Sequence, residues 1–200
     1  IDFVYNRLSC NIVSVGASND YTKLGTTHHC FEDINILSNY RDINLFIPSN
    51  EKEFKFLFEK NYNNNAINYF RLSENKIDNP YKINKFLKRQ KNKSLLIVVG
   101  NSFNYRNLKK KKIDVFYVNK ISKNMNFNFL NKYNKILIIE PYYGNVLERR
   151  IKQKFKKMLN ISTLSYEETV IHKYGEKKDQ DKYLKFDNKN ILKGINSFFS

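Results

Sequence analysis

The sequence contains no tryptophan and, in 200 residues, only two methionines, two cysteines, three prolines, three histidines and six glycines. Two cysteines, Cys10 and Cys30, supply no disulfide framework and suit a reducing, cytoplasmic setting. No apolar run approaches the ~20 residues a helix needs to cross a bilayer, so no membrane partner is expected. The longest runs, Leu95–Val99 and Ile136–Ile139, read as buried strands. No basic-then-apolar secretory leader opens the chain, and Ile1 in place of Met leads us to expect a fragment or a processed chain. His28, His29 and Cys30 are consecutive, and adjacent side chains diverge, so no metal site is expected of them.

Acidic residues are scarce beside basic ones, 19 against 36, which gives a formal charge of +17. Lys109–Lys112 and Arg149–Lys157 are the densest basic stretches. Such a charge invites a nucleic-acid reading. Against it, the basic residues are spread along most of the chain with no zinc-finger, helix-turn-helix or RNA-recognition signature. Lys, Asn and Ile abound while Ala and Gly are few, the drift expected of an AT-rich genome. We read the charge as solvated surface, with no nucleic-acid partner. The 41% hydrophobic and 28% charged content fits a folded globular chain.

The pattern along the chain is α/β, with mainly parallel sheets flanked by helices. Asn11–Gly16 reads as a buried strand, Phe31–Leu37 as a helix, and Ile43–Ile47 as a strand closed by Pro48. Asn50 can cap the next helix, with Glu53 reaching back and Phe54, Leu57 and Phe58 as the apolar stripe. Ala66–Leu72 is the third strand. Residues 79–93 read as a linker within a polar stretch that runs from 74 to 93. The pattern then restarts with strands Leu95–Gly100, Ile113–Val118 and Lys135–Glu140 and a helix near Asn126–Lys132. Two amphipathic helices follow. Asn145–Leu159 buries Val146, Leu147, Ile151, Phe155 and Met158, and Asn188–Phe199 buries Ile191, Leu192, Ile195 and Phe198. Two α/β units result, residues 1–78 and 94–200.

Gly25-Thr-Thr-His-His-Cys30 is the most chemical segment, a turn past the C-terminal end of a strand, where parallel sheets place ligand sites. Histidine there can exchange protons with a bound oxygen near neutral pH. On pattern alone, His28 and His29 read equally well as cap or surface histidines. Residues 13–53 resemble the second half of the pyrimidine-binding domain of transketolases, especially the short or split forms. Gly25, Thr27, His28, Glu32, Asp33 and Pro48 keep the family pattern, while Thr26 stands where proline is usual. Phe70-Arg71-Leu72 looks like the last strand of that domain. Val98-Val99-Gly100, Ile138-Ile139-Glu140 and Lys173-Tyr174-Gly175 look like the family's C-terminal domain.

The resemblance implies transfer of a two-carbon ketol unit from a ketose to an aldehyde, with thiamine diphosphate and magnesium as cofactors. His28 would face the reacting part of the sugar, and His29 would bind substrate, line the cofactor or shape the turn. Glu32 and Asp33 would cap and orient the following helix. The family's cofactor-activating Glu and its aromatic partners would lie before Ile1. The Gly-Asp-Gly motif of the diphosphate domain is absent. The chain alone is therefore expected to be inactive. It would work with an N-terminal transketolase section, upstream or on a separate subunit, in a homodimer or heterotetramer. By the same resemblance, Leu24 stands where an Asp usually reads a sugar hydroxyl, and Glu74 falls near where an Arg holds the substrate phosphate, so an unphosphorylated, nucleotide-linked or shorter substrate is expected in place of the usual aldose phosphate. Three other readings remain: a deoxyxylulose-phosphate synthase or 2-oxo-acid dehydrogenase β subunit, a non-catalytic α/β assembly protein, and a basic nucleic-acid-binding module.

Overall fold

The computed structural model describes residues 2–40, 42–78, 82–108, 112–155, 160–172 and 174–200. A short helix α1 (Asp2–Tyr5) precedes strand β1 (Cys10–Ser14). Helix α2 (Asp33–Leu37), strand β2 (Ile43–Phe46), helix α3 (Glu51–Asn61) and strand β3 (Ile67–Arg71) follow. The rest comprises β4 (Lys85–Lys88), β5 (Ser94–Val99), β6 (Asp114–Val118), β7 (Lys120–Ile121) and β8 (Lys135–Ile139). Helix α4 (Val146–Lys154), strand β9 (Asn160–Leu164) and helices α5 (Lys177–Tyr183) and α6 (Asn188–Phe199) close it.

The strands form two mixed, mostly parallel sheets, ordered β1-β3-β2-β7 and β4-β6-β5-β8-β9. Alternation along β5 divides the packing: Leu95, Ile97 and Val99 face one core, Leu96 and Val98 another. The first core is shared, since it also holds Leu45, Ile47, Ile67 and Tyr69 of the first sheet and Ile34, Val146 and Ile151 of α2 and α4. Ile191 and Ile195 of α6 cover the other face of the second sheet, and Leu57 of α3 covers Phe46 and Phe70. Each such buried apolar side chain contributes about 2 kcal/mol, before the entropic cost of ordering it.

The sequence reading is corrected at several elements. Lys85–Lys88, expected inside the 79–93 linker, is a strand antiparallel to β6, because Phe86 packs edge-on against Phe116 and Phe129. Strand β7 leaves the second half of the chain to pair antiparallel with β2, so the two sheets do not divide at that linker. The helix expected near Asn126–Lys132 is present, as a short 3-10 helix over Asn128–Lys132. The largest reversal concerns β1. Expected to be buried, it pairs among the described residues only with β3, and Ile12, Val13 and Val15 are 42%, 45% and 62% exposed. Met158, Lys173, Pro80 and Lys109–Lys111 lie outside the described residues.

Asn50 caps α3 as expected, accepting from the Glu53 N–H at 2.9 Å. Glu53 does not reach back to Asn50. Its buried carboxylate accepts from the Ser49 N–H (2.6 Å), the Tyr117 hydroxyl (2.6 Å) and Asn119 Nδ2 (2.7 Å). One glutamate thus ties the start of α3 to the end of β6, and a charge here is tolerated because each donor is aimed at it.

Candidate functional site

After β1 the chain turns through two short 3-10 helices, Thr22–Leu24 and Thr26–His28, hinged at Gly25. Gly25 has φ 82° and ψ −173°, a conformation open essentially to glycine alone. The hinge turns His28 and His29 to different surroundings. His28 is exposed, with Nδ1 3.1 Å from the Thr27 hydroxyl. His29 is half-buried and edge-on to Phe31, 5.7 Å between ring centroids, and its Nε2 is buried without a hydrogen-bond partner among the described residues. Burial, with the Lys177 ammonium second, lowers the His29 pKa and favours the neutral ring. Burial and then Asp33 push the adjacent Cys30 thiol up to about 11, which makes it a poor nucleophile.

The turn is fixed from below by a residue whose role the sequence reading missed. Arg71, at the end of β3, donates from Nη2 to the Cys30 carbonyl (2.8 Å) and to Ser18 Oγ (3.0 Å). Its Nε lies 2.9 Å from Asp33 Oδ2, and the Tyr69 hydroxyl donates to the same oxygen at 2.8 Å. Ser18 and Cys30 bridge the neck of the loop through paired backbone bonds of 2.9 and 2.8 Å. Asp33, expected to cap α2, instead spends its carboxylate on Arg71 and Tyr69. Glu32 accepts from the neighbouring Phe31 N–H at 3.1 Å. The available signal was an arginine ending the otherwise uncharged strand Ile-Asn-Tyr-Phe-Arg, since a buried guanidinium requires an anion.

The second half of the chain covers the turn from above. Thr26 Oγ1 donates to the Ile171 carbonyl, Lys23 pairs with Glu176 at 3.0 Å, and the Tyr174 ring lies over Gly25. Beside the turn, a cavity of about 360 Å³ is lined by Ser18, Asp20, Ser73, Asn101, Lys177 and Asp181 among others, and neither His28 nor His29 lines it. Asp20 ties its loop to the one after β3, accepting from Ser73 Oγ (3.1 Å) and the Glu74 N–H (2.9 Å). Leu24 and Glu74 are exposed. Among the described residues, no three His, Cys, Asp or Glu side chains converge as metal ligands, and no helix is long and apolar enough to cross a membrane.

No family model matches this chain, and no curated protein matches it. Solved structures do. The Campylobacter jejuni transketolase superposes with a TM-score of 0.68 at 15% identity, over 94% of this chain and 31% of that one. A split-gene transketolase described as an inactive β4 tetramer gives 0.74 at 10% identity, over 98% and 70%. The Pichia stipitis transketolase in complex with sedoheptulose-7-phosphate gives 0.66 at 10% identity, over 92% and 29%. The chain thus has an α/β fold like that of the C-terminal domains of transketolases and spans about 30% of the length of the one-chain enzymes.

Proposed function

We propose that this chain is the C-terminal part of a transketolase-like enzyme that moves a two-carbon ketol unit from a ketose to an aldehyde. The observation that carries the reading is the His28 turn. It lies beyond the C-terminal end of β1 with His28 exposed, clamped by Arg71 below and contacted by Ile171, Tyr174 and Glu176 above. In this reading His28 donates to, or exchanges a proton with, the hydroxyl and carbonyl oxygens of the sugar. His29 shapes the turn and lies against Phe31.

The donor set here does not fit thiamine diphosphate or magnesium: the described residues offer no group of three His, Cys, Asp or Glu side chains that could hold a metal ion, and the chain has no Gly-Asp-Gly. When bound, that cofactor supplies the electron sink for the two-carbon unit. Holding it is left to an N-terminal section, upstream or on a separate subunit. The exposed apolar side chains of β1 support such a partner, since an edge strand with bare Val and Ile side chains is a pairing surface. The split-gene relative, inactive as a β4 tetramer, supports inactivity of this chain by itself. Arg71 is buried against Asp33 and cannot hold a substrate phosphate, and Glu74 would repel one. We therefore favour an unphosphorylated, nucleotide-linked or shorter acceptor over the sugar phosphate seen in the Pichia stipitis complex.

The test is reconstitution with the N-terminal section and an assay of ketol transfer. His28→Ala is expected to cut kcat by ~100-fold, within the range for a lost acid–base group, while assembly is unchanged. Val13→Lys is expected to block assembly and leave the fold intact. Full activity of the His28→Ala assembly would remove His28 from the reaction. Assembly of Val13→Lys with unchanged affinity would remove β1 as the partner edge.

A further inference from the structure

The geometry points to a second ligand site, independent of the His28 turn: the groove between α4 and the Ser122–Asn124 turn binds a compact polyanion carrying two phosphoryl groups. Residues four apart share a helix face, so Arg149 aligns with Gln153 and Arg150 with Lys154, in two adjacent rows along α4. Lys123 stands on the opposite wall, Ser38 and Asn39 close one end, and the space is about 600 Å³. It lies away from the turn, since a neighbouring groove that shares Ser122–Asn124 is lined by Asp42, Asn44 and Ile67 at the starts of β2 and β3.

What distinguishes these cations from ordinary solvated charge is how they are held. Arg149 Nη2 donates to Asn35 Oδ1, Arg150 Nη2 to the Ser38 carbonyl at 2.8 Å, and Lys154 Nζ to the Met125 carbonyl at 2.7 Å. Each acceptor is neutral, so each cation is fixed in place without being neutralised. Among the described residues only Lys123 of the four has a carboxylate partner, Asp42. A guanidinium carries five N–H donors, so Arg149 and Arg150, each anchored through one nitrogen, keep donors for a ligand. Burial lowers the Arg150 pKa, and the neighbouring Arg149 adds a smaller push in the same direction against an opposing one from Tyr142. The helix N-terminus contributes nothing, because Glu140 already accepts the Val146 and Leu147 N–H groups.

Three uncompensated cations exceed the roughly two negative charges of one phosphoryl group and match a diphosphate or bisphosphate. The floor, Phe127 and Val146, is buried and offers no exposed ring for base stacking. Phosphoryl groups rather than bases are therefore what the groove reads.

Calorimetric titration of the full chain with inorganic pyrophosphate tests this. Saturable one-to-one binding that weakens as salt rises is expected. Arg149→Gln with Lys154→Gln should weaken it by ~10-fold or more, since two charge-assisted bonds are lost. Lys52→Gln with Lys55→Gln, an equal loss of charge on α3, should leave it unchanged. Adenosine diphosphate, with the same two phosphoryl groups, binding more tightly than pyrophosphate would identify a nucleotide as the source, and equal binding another diphosphate; both support the site. Three results would overturn the proposal: no saturable binding of pyrophosphate, an unchanged affinity in the folded double variant, or affinity that climbs with oligonucleotide length, which would mark a nucleic-acid face.

Discussion

Arg71 and Asp33 form an ion pair of 2.9 Å inside the protein, with 1% and 8% of their side chains exposed. The pair joins the end of β3 to the start of α2, and through Ser18 and the Cys30 carbonyl it closes the base of the loop that presents His28. Such a pair adds little net stability, because desolvation offsets most of the attraction. Removing one partner strands a buried charge.

Arg71→Met should therefore lower stability by about 3–5 kcal/mol, seen as a fall in the urea midpoint with little change in slope. Arg71→Met combined with Asp33→Leu should recover a large part of that loss, because no unpaired charge then remains. A single variant as stable as the parent would show that the pair does not clamp the loop.

Glu140 gives a pH dependence of unusual sign. Burial pushes its carboxyl up to about 7 from 4.5, against the two backbone N–H bonds that favour the anion. Between those two values the folded chain keeps a proton that the unfolded chain has released. Stability must then fall as pH rises through that window, by up to about 3 kcal/mol. Glu140→Gln cannot ionise, so the melting-temperature difference between parent and variant should shift in the variant's favour from pH 4.5 to 7. A difference that is flat across the window would mean the carboxyl titrates normally.

Gly25→Ala tests the hinge of the turn. An added Cβ would sit 2.6 Å from Tyr174 Cε1, and the backbone there suits only glycine. A loss of about 1–3 kcal/mol is expected from the backbone strain alone. Adding Tyr174→Ala should relieve the contact and not the strain, so thermal unfolding of the double variant should stay close to that of Gly25→Ala. Full recovery would locate the whole cost in the tyrosine.

Much of the strand content was legible because its signals are local. Leu95–Val99 and Ile136–Ile139 are continuous apolar runs, and such runs have few alternatives to a doubly covered strand. The Asn50 cap and the apolar stripe of α6 were readable for the same reason. The turn at Gly25 was marked by its composition. Strands β4 and β7 were not legible, since Lys-Phe-Leu-Lys and Lys-Ile take up a sheet only when a long-range partner offers its edge.

The sequence by itself therefore determined the α/β alternation, the place of the histidine turn and the basic excess, all properties of neighbouring residues. Tertiary structure decided the rest. It turned His29 against Phe31 and left His28 in solvent, set Arg71 beneath the loop, and gathered Arg149, Arg150, Lys154 and Lys123 around one groove. It also left β1 at an open edge, although its apolar residues resemble those of a buried strand. Periodicity records which side chains are apolar, and burial depends on what else packs against them.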